Sequence, residues 1–194
     1  MRFLVVLGFL VLFVSEAALA EPGKICRTRG IIGEKVDPIP GKLQGCGLSR
    51  GVRVHEVAGV SLSRPAVMDC GTAKALNKWV KKGLNKSFKR GKSVTEIRVA
   101  AGYACRTRNS QKGAKISEHG RGKAIDISGF VLKSGEVVTV LEGWNDRAWK
   151  RKLRKAWKKA CGTFGTVLGP NADRFHKDHF HFDTAKHRGG SYCR

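Results

Sequence analysis

Acidic residues are scarce in this chain. Its 194 residues hold 15 Asp and Glu against 38 Lys and Arg, a formal net charge of +23. Such an excess speaks to partners rather than to fold. It calls for something anionic: nucleic acid, anionic lipid headgroups or the anionic polymers of a bacterial envelope. No recognisable nucleic-acid motif is present, and the aromatics do not interleave with the basic residues as stacking platforms do, so no nucleic-acid partner is expected. After the first 20 residues no segment is apolar and long enough to cross a hydrocarbon core, which takes about 20 residues. There is no C-x-x-C pair, which argues against a cysteine–zinc site. Internal repeats and low-complexity tracts are also missing.

What is there begins with a leader, "MRFLVVLGFLVLFVSEAALA". One positive charge, Arg2, precedes an apolar run from Phe3 to Val14, and Ala18-Leu19-Ala20 fits the small-x-small cleavage rule. The run of about 12 residues is too short to span a bilayer. Residues 1–20 are therefore expected to be a cleaved signal peptide, with an uncleaved anchor as the alternative. Cleavage near Ala20 sends the mature chain to the periplasm or beyond, where the envelope becomes the favoured anionic partner. No cysteine sits at the cut, so no lipid anchor is expected there. The six cysteines, Cys26, Cys46, Cys70, Cys105, Cys161 and Cys193, all lie in the exported part. An even count in an oxidising compartment predicts up to three disulfides, among 15 formal pairings that spacing does not decide.

Residues 21–66 carry many Gly and Pro and read as a loop-rich lead-in, with one or two short strands in "VRVHEVAGVSL" and pinned by Cys26 and Cys46. A single domain is expected over 67–194. From Met68 the period turns helical. Leu76, Trp79, Val80, Leu84 and Phe88 stack on one face, with Asp69 as N-cap. "TEIRVAAGYAC" reads as a strand, and "KAIDISGFVLKSGEVVTVLEGW" as two strands joined at Lys133–Glu136. A second helix is predicted from Asn145 to Lys159, its buried stripe formed by Trp149, Leu153, Ala156, Trp157 and Ala160. "FGTVLG" and "HFHFD" close the chain as strands. The second helix is densely basic over 147–159, and no acidic residue lies between Asp146 and Asp173 to neutralise it. A binding surface for an anionic partner is favoured over a merely solvated face.

Four of the six histidines, His176, His179, His181 and His187, fall within twelve residues. In a strand, His179 and His181 project to one side, and Phe180 and Phe182 anchor the other. Upstream, "SEHGRGKAIDIS" places His119 on a glycine-flanked loop before a strand. Ile125 and Ile127 in the core turn Asp126 toward a cleft, and Gly120 and Gly122 let the loop curl His119 back beside it. One Asp and two His make a zinc set with one position left open, the pattern of a catalytic rather than a closed structural site.

The combination of "CGTAKALNKWV", "YACRTRN", "SEHGRGKAIDISGF", "ACGTFGTVLGP", "HKDHFHFD" and "YCR" resembles the bacterial extensin-like C-terminal domain from about Cys70 to Arg194. "SEHGRGKAID" also fits the S-x-H-x-x-G-x-A-x-D signature of the zinc D-alanyl-D-alanine peptidases, and the H-x-H is similar to that of the penicillin-insensitive murein endopeptidases. The resemblance implies an α+β fold, like that of the hedgehog and D-Ala-D-Ala peptidase proteins. A small antiparallel sheet would carry the metal site, flanked by two main helices and stabilised by disulfides. It implies Zn2+ held by His119, Asp126 and His181, and His179 as general base, oriented by Asp178 or His176. Arg106, or Arg108 in its place, would hold the substrate carbonyl or oxyanion. Ala101 stands where the related motif has serine, and Asp178 where those peptidases have a glutamate base. The implied activity is hydrolysis of peptide bonds at D-amino-acid linkages, by endo- or carboxypeptidase action. Its partners would be peptidoglycan stem peptides, with anionic envelope polymers on the basic helix.

Three other readings stand beside it. One is a non-catalytic zinc-fold protein that binds anionic envelope polymers. Another is a cationic membrane or nucleic-acid binder with incidental histidines. The third is a purely structural metal held by His176, His179 and His181, with Asp126 or Asp183 as fourth ligand.

Overall fold

The computed structural model describes residues 22–88 and 93–194. The signal peptide expected at 1–20 lies outside the described residues. The chain runs through β1 (Gly23–Lys24), β2 (Ile31–Val36), β3 (Ile39–Pro40), β4 (Gly47–Leu48), β5 (Gly51–Val57) and β6 (Val60–Asp69) before its first helix. The expected loop-rich lead-in over 21–66 is therefore corrected: much of it is sheet, and β6 runs through the 66/67 division. The physical reason is register. The ladders of β5 with both β2 and β6 shift between Val54 and Glu56, where His55 is an extra residue opposite Ile32/Gly33. That extra residue breaks the period-2 alternation that would reveal a strand.

Helix α1 (Cys70–Trp79) begins where the Asp69 carboxylate accepts the Thr72 N–H at 2.7 Å, and it continues through a π turn (Val80–Leu84) into α2 (Asn85–Ser87). All five residues of the predicted stripe are buried. Next come β7 (Val94–Ala101), a turn at Glu118–Arg121, β8 (Ala124–Leu132) and β9 (Val137–Thr139). Helices α3 (Val140–Gly143) and α4 (Lys150–Lys158) follow, then β10 (Thr166–Leu168), β11 (Phe180–Asp183) and β12 (Tyr192–Cys193). Helix α4 starts five residues later than Asn145. The Asp146 carboxylate accepts the N–H groups of Ala148 and Trp149 and holds that stretch as a turn.

Ten strands make one sheet in the order β1-β2-β5-β6-β7-β8-β11-β10-β12, with β9 also paired to β8. This corrects the expected small antiparallel sheet. The sheet is large, and β6/β7 and β10/β12 pair in parallel. A parallel neighbour needs a crossover, and the α1–α2 segment between β6 and β7 supplies it.

Both main helices pack on one face of the sheet. Phe182 of β11 meets Trp79 of α1 and Phe164, each at 5.1 Å between ring centroids, and Phe180 meets Trp144 at 5.7 Å. The Trp79 indole N–H donates to the Ala156 carbonyl of α4 at 2.9 Å, tying the helices together over this core. Each such aromatic contributes on the order of 2 kcal/mol by leaving water. Because side chains alternate along a strand, fixing Phe180 and Phe182 inward sends His181 and Asp183 to the opposite face. Three disulfides, Cys26–Cys70, Cys46–Cys105 and Cys161–Cys193, complete the frame, and no described cysteine is free. Cys26 and Cys46 thus each tie the N-terminal segment to a later one.

Candidate metal centre in a cleft

Strand register brings the first two groups together. His181 of β11 lies directly opposite Asp126 of β8. The His181 Nδ1 and Asp126 Oδ1 atoms are 2.9 Å apart. His119 arrives from the turn before β8. The Ser117 hydroxyl caps the His119 N–H, and Gly122 ends the turn at φ 66, a conformation that L side chains rarely adopt. The His119 Nε2 then sits 3.1 Å from Asp126 Oδ2 and 3.2 Å from His181 Nδ1. One ligand atom from each residue falls within 4.8 Å of the others, and all three side chains are buried.

The outer partners of the two rings decide what the rings present inward. His119 Nδ1 lies 2.7 Å from the Gly102 carbonyl oxygen, which can only accept, so Nδ1 carries the proton. His181 Nε2 lies 3.0 Å from Asp183 Oδ2, a carboxylate that also accepts the Ala185 N–H at 2.9 Å. With those outer nitrogens committed as donors, the inner nitrogens, His119 Nε2 and His181 Nδ1, both face the Asp126 carboxylate, donating to it when they carry a proton and offering lone pairs to a cation when they do not. Three electron-rich atoms converge, and positive charge has to sit among them. Burial disfavours the charged Asp126 carboxyl, but hydrogen bonds from His119 and His181 overcome that and hold it well below the usual carboxylate range. Burial likewise works against a charged His181. Hydrogen bonds to Asp126 and Asp183 prevail and push it up to about 9. Asp183 is held low by His181 against the same burial cost.

A cavity of about 710 Å³ opens over this cluster. His119, Asp126, His181, His179 and His176 all line it, as do Arg106 and Arg108 from the loop after β7. His179 Nδ1–H donates to Asp178 Oδ1 at 2.7 Å, which leaves Nε2 unprotonated in the neutral ring, 3.8 Å from Asp126 Oδ1. Asp178 does not line the cavity. Its side chain is 66% exposed, and the hydrogen bond to His179 lowers its pKa. His176 is bound instead to Asp173, 2.7 Å from its Nδ1, and its ring stands 5.2 Å from that of His179. Burial pushes the His176 pKa down despite Asp173. Of the two groups expected to orient His179, Asp178 makes the hydrogen bond and His176 only a ring contact.

Sequence reasoning did not find Asp173 or the Gly102 carbonyl, and it placed Asp183 only as a possible fourth ligand. Asp183 instead bonds the outer nitrogen of His181. Its spacing two residues beyond His181 was the available signal, since i and i+2 share a strand face. The Gly102 carbonyl carries no sequence signal, because every residue has one.

The molecule is thus a disulfide-tied α/β domain with a buried His–Asp–His cluster at the base of a cleft. The family model "Extensin-like protein C-terminus" matches residues 25–194, and the chain belongs to that family. The match reaches well upstream of Cys70, in keeping with β1–β6 being part of the same sheet. No curated protein and no solved structure matches the chain.

Proposed function

We propose that this protein is an exported zinc-dependent peptidase that hydrolyses peptide bonds in cell-wall peptidoglycan. The observation that carries this reading is the pair of outer hydrogen bonds, His119 Nδ1–H to Gly102 O and His181 Nε2–H to Asp183, which turn the other nitrogen of each ring onto one carboxylate, so that a metal there would meet two imidazole nitrogens and an oxygen. Carbonyl and carboxylate partners of this kind set the tautomer of metal-bound histidines. Two nitrogens and one oxygen leave a fourth tetrahedral position open, the donor set of a catalytic zinc site. Zinc bound there would polarise a carbonyl and lower the pKa of water toward about 7.

The chain's own residues divide the remaining work. His179 takes the proton from the attacking water at Nε2, while Asp178 holds its Nδ1–H and fixes the tautomer. Arg106, with Arg108 beside it in the cleft, offers guanidinium donors to the oxyanion. Asp126 stays ionised among its histidines. The disulfides suit an oxidising compartment, and cleavage of the leader near Ala20 would deliver the protein there. Anionic stem peptides would meet a strongly basic chain.

The test is to incubate purified mature protein with defined peptidoglycan fragments, with and without a chelator, beside His181→Ala and His179→Ala. Chelator-sensitive cleavage is expected, with zinc lost in His181→Ala and retained without cleavage in His179→Ala. Intact fragments under every metal tried would sink the proposal. Tight zinc without cleavage would favour a non-catalytic binder.

A further inference from the structure

The basic residues of the two main helices form one layer on the sheet face opposite the cleft. Along α1, the π turn and α2, Lys74, Lys78, Lys81, Lys82 and Lys86 are exposed. On α4, Lys150, Arg151, Arg154, Lys155, Lys158 and Lys159 are exposed. The two sets adjoin. The Trp79 indole donates to Ala156, and a Cβ added at Gly83 would lie 3.2 Å from the Lys159 Cβ. No acidic residue occurs in 70–88 or in 147–172. Among the described residues no ion pair engages a lysine or arginine of either helix, since the Arg53–Glu34 and Arg121–Glu118 pairs lie elsewhere.

We infer that this two-helix layer docks a second stretch of the peptidoglycan mesh, through the carboxylates of its acidic peptides, while the cleft on the other face works on the first. This rests on the substrate proposed above and adds a tethering surface to it. The occupant has to be extended. The 18 residues from Cys70 to Ser87 rise about 27 Å at 1.5 Å per residue, too far for one small anion to span. A lipid surface fits poorly, because Leu76, Leu84, Leu153 and Ala156 are buried under the helices and none is left to insert. Single-stranded nucleic acid fits poorly too. Trp79 and Trp144 are buried, and Trp157 is half-buried against Trp144, so no row of free stacking platforms is offered.

Co-sedimentation of the mature chain with insoluble peptidoglycan tests this without requiring turnover. One variant carries Lys78→Gln, Lys82→Gln, Lys86→Gln, Lys155→Gln, Lys158→Gln and Lys159→Gln. A control removes six charges elsewhere, at Lys24, Lys35, Lys42, Arg50, Lys112 and Lys115. Thermal melts check that both fold. The helix variant is expected to bind about tenfold more weakly or worse, the control is expected to bind like wild type, and wild-type binding is expected to fade with added salt. Equal binding by all three proteins overturns the inference, as does failure of wild type to sediment or its preference for anionic vesicles or DNA. If fragments are not cleaved but the helix variant alone loses binding, the tether stands and the peptidase reading falls.

Discussion

Replacing Cys46 and Cys105 together by serine tests how the cleft is held. Their bond spans 59 residues. Loop-closure entropy for that length is about 4.2 kcal/mol at 25 °C. The separations of 44 for Cys26–Cys70 and 32 for Cys161–Cys193 give about 4.0 and 3.7 kcal/mol by the same relation. The logarithm makes the three nearly equal. Their sum, about 12 kcal/mol, matches the whole net stability of a typical domain, so full reduction should unfold the chain. Position separates what length does not. Cys46 Sγ would stand 2.9 Å from a Cβ at Gly120, the residue after His119, and Cys105 adjoins Arg106. Cys70 instead opens α1, on the helix-bearing face of the sheet, and its partner Cys26 lies in the loop between β1 and β2. The Cys46/Cys105 variant should therefore lose about 4 kcal/mol and about tenfold or more in zinc affinity. A Cys26/Cys70 variant should lose similar stability and keep its affinity. Denaturant unfolding and chelator competition measure the two quantities. A loss below about 1 kcal/mol for the first variant, or equal losses of affinity in both, would refute the reasoning.

Phe182→Ala should cost about 3–5 kcal/mol in denaturant unfolding, because the ring is fully buried between Trp79 and Phe164. Gly165→Ala should destabilise sharply in a thermal melt, since an added Cβ would overlap the Ala185 carbonyl oxygen, which is backbone and cannot swing away. Asp69→Ala should lose about 1 kcal/mol of unfolding free energy with the cap to Thr72. Zinc at 100 times its Kd should raise the unfolding free energy by about 2.7 kcal/mol. A chelator, or His181→Ala, should abolish that gain, and an unchanged melting midpoint on zinc addition would count against the metal site.

Several elements were legible because their signal is local. The Leu76–Phe88 stripe, the Asp69 cap, the hairpin turn at Lys133–Glu136 and the alternation of Phe180, His181 and Phe182 are all visible in short windows, and each stands as expected. The strands of the N-terminal segment were not legible. A bulge at His55 shifts the alternation of β5, and β1, β3 and β4 are only two residues each. Helix α4 begins five residues later than its pattern suggests, because the Asp146 side chain holds the preceding residues as a turn.

The cluster divides in the same way. The sequence by itself determined which residue types were available to it and which strand faces they occupy, because side-chain direction follows from a period of two. Only the tertiary structure decided that His119 and His181, 62 residues apart, stand 3.2 Å from each other. That depends on β11 pairing with β8 in one register, so that His181 faces Asp126. It also decided the tautomers, through Gly102 and Asp183. The disulfide pairing was a tertiary outcome as well, since it follows which cysteines the fold brings close. So was the separation of the basic layer from the cleft, which follows from the helices packing on the Phe180–Phe182 face. Pairing, register and facing are properties of strands distant in the chain, and no local pattern of residues carries them.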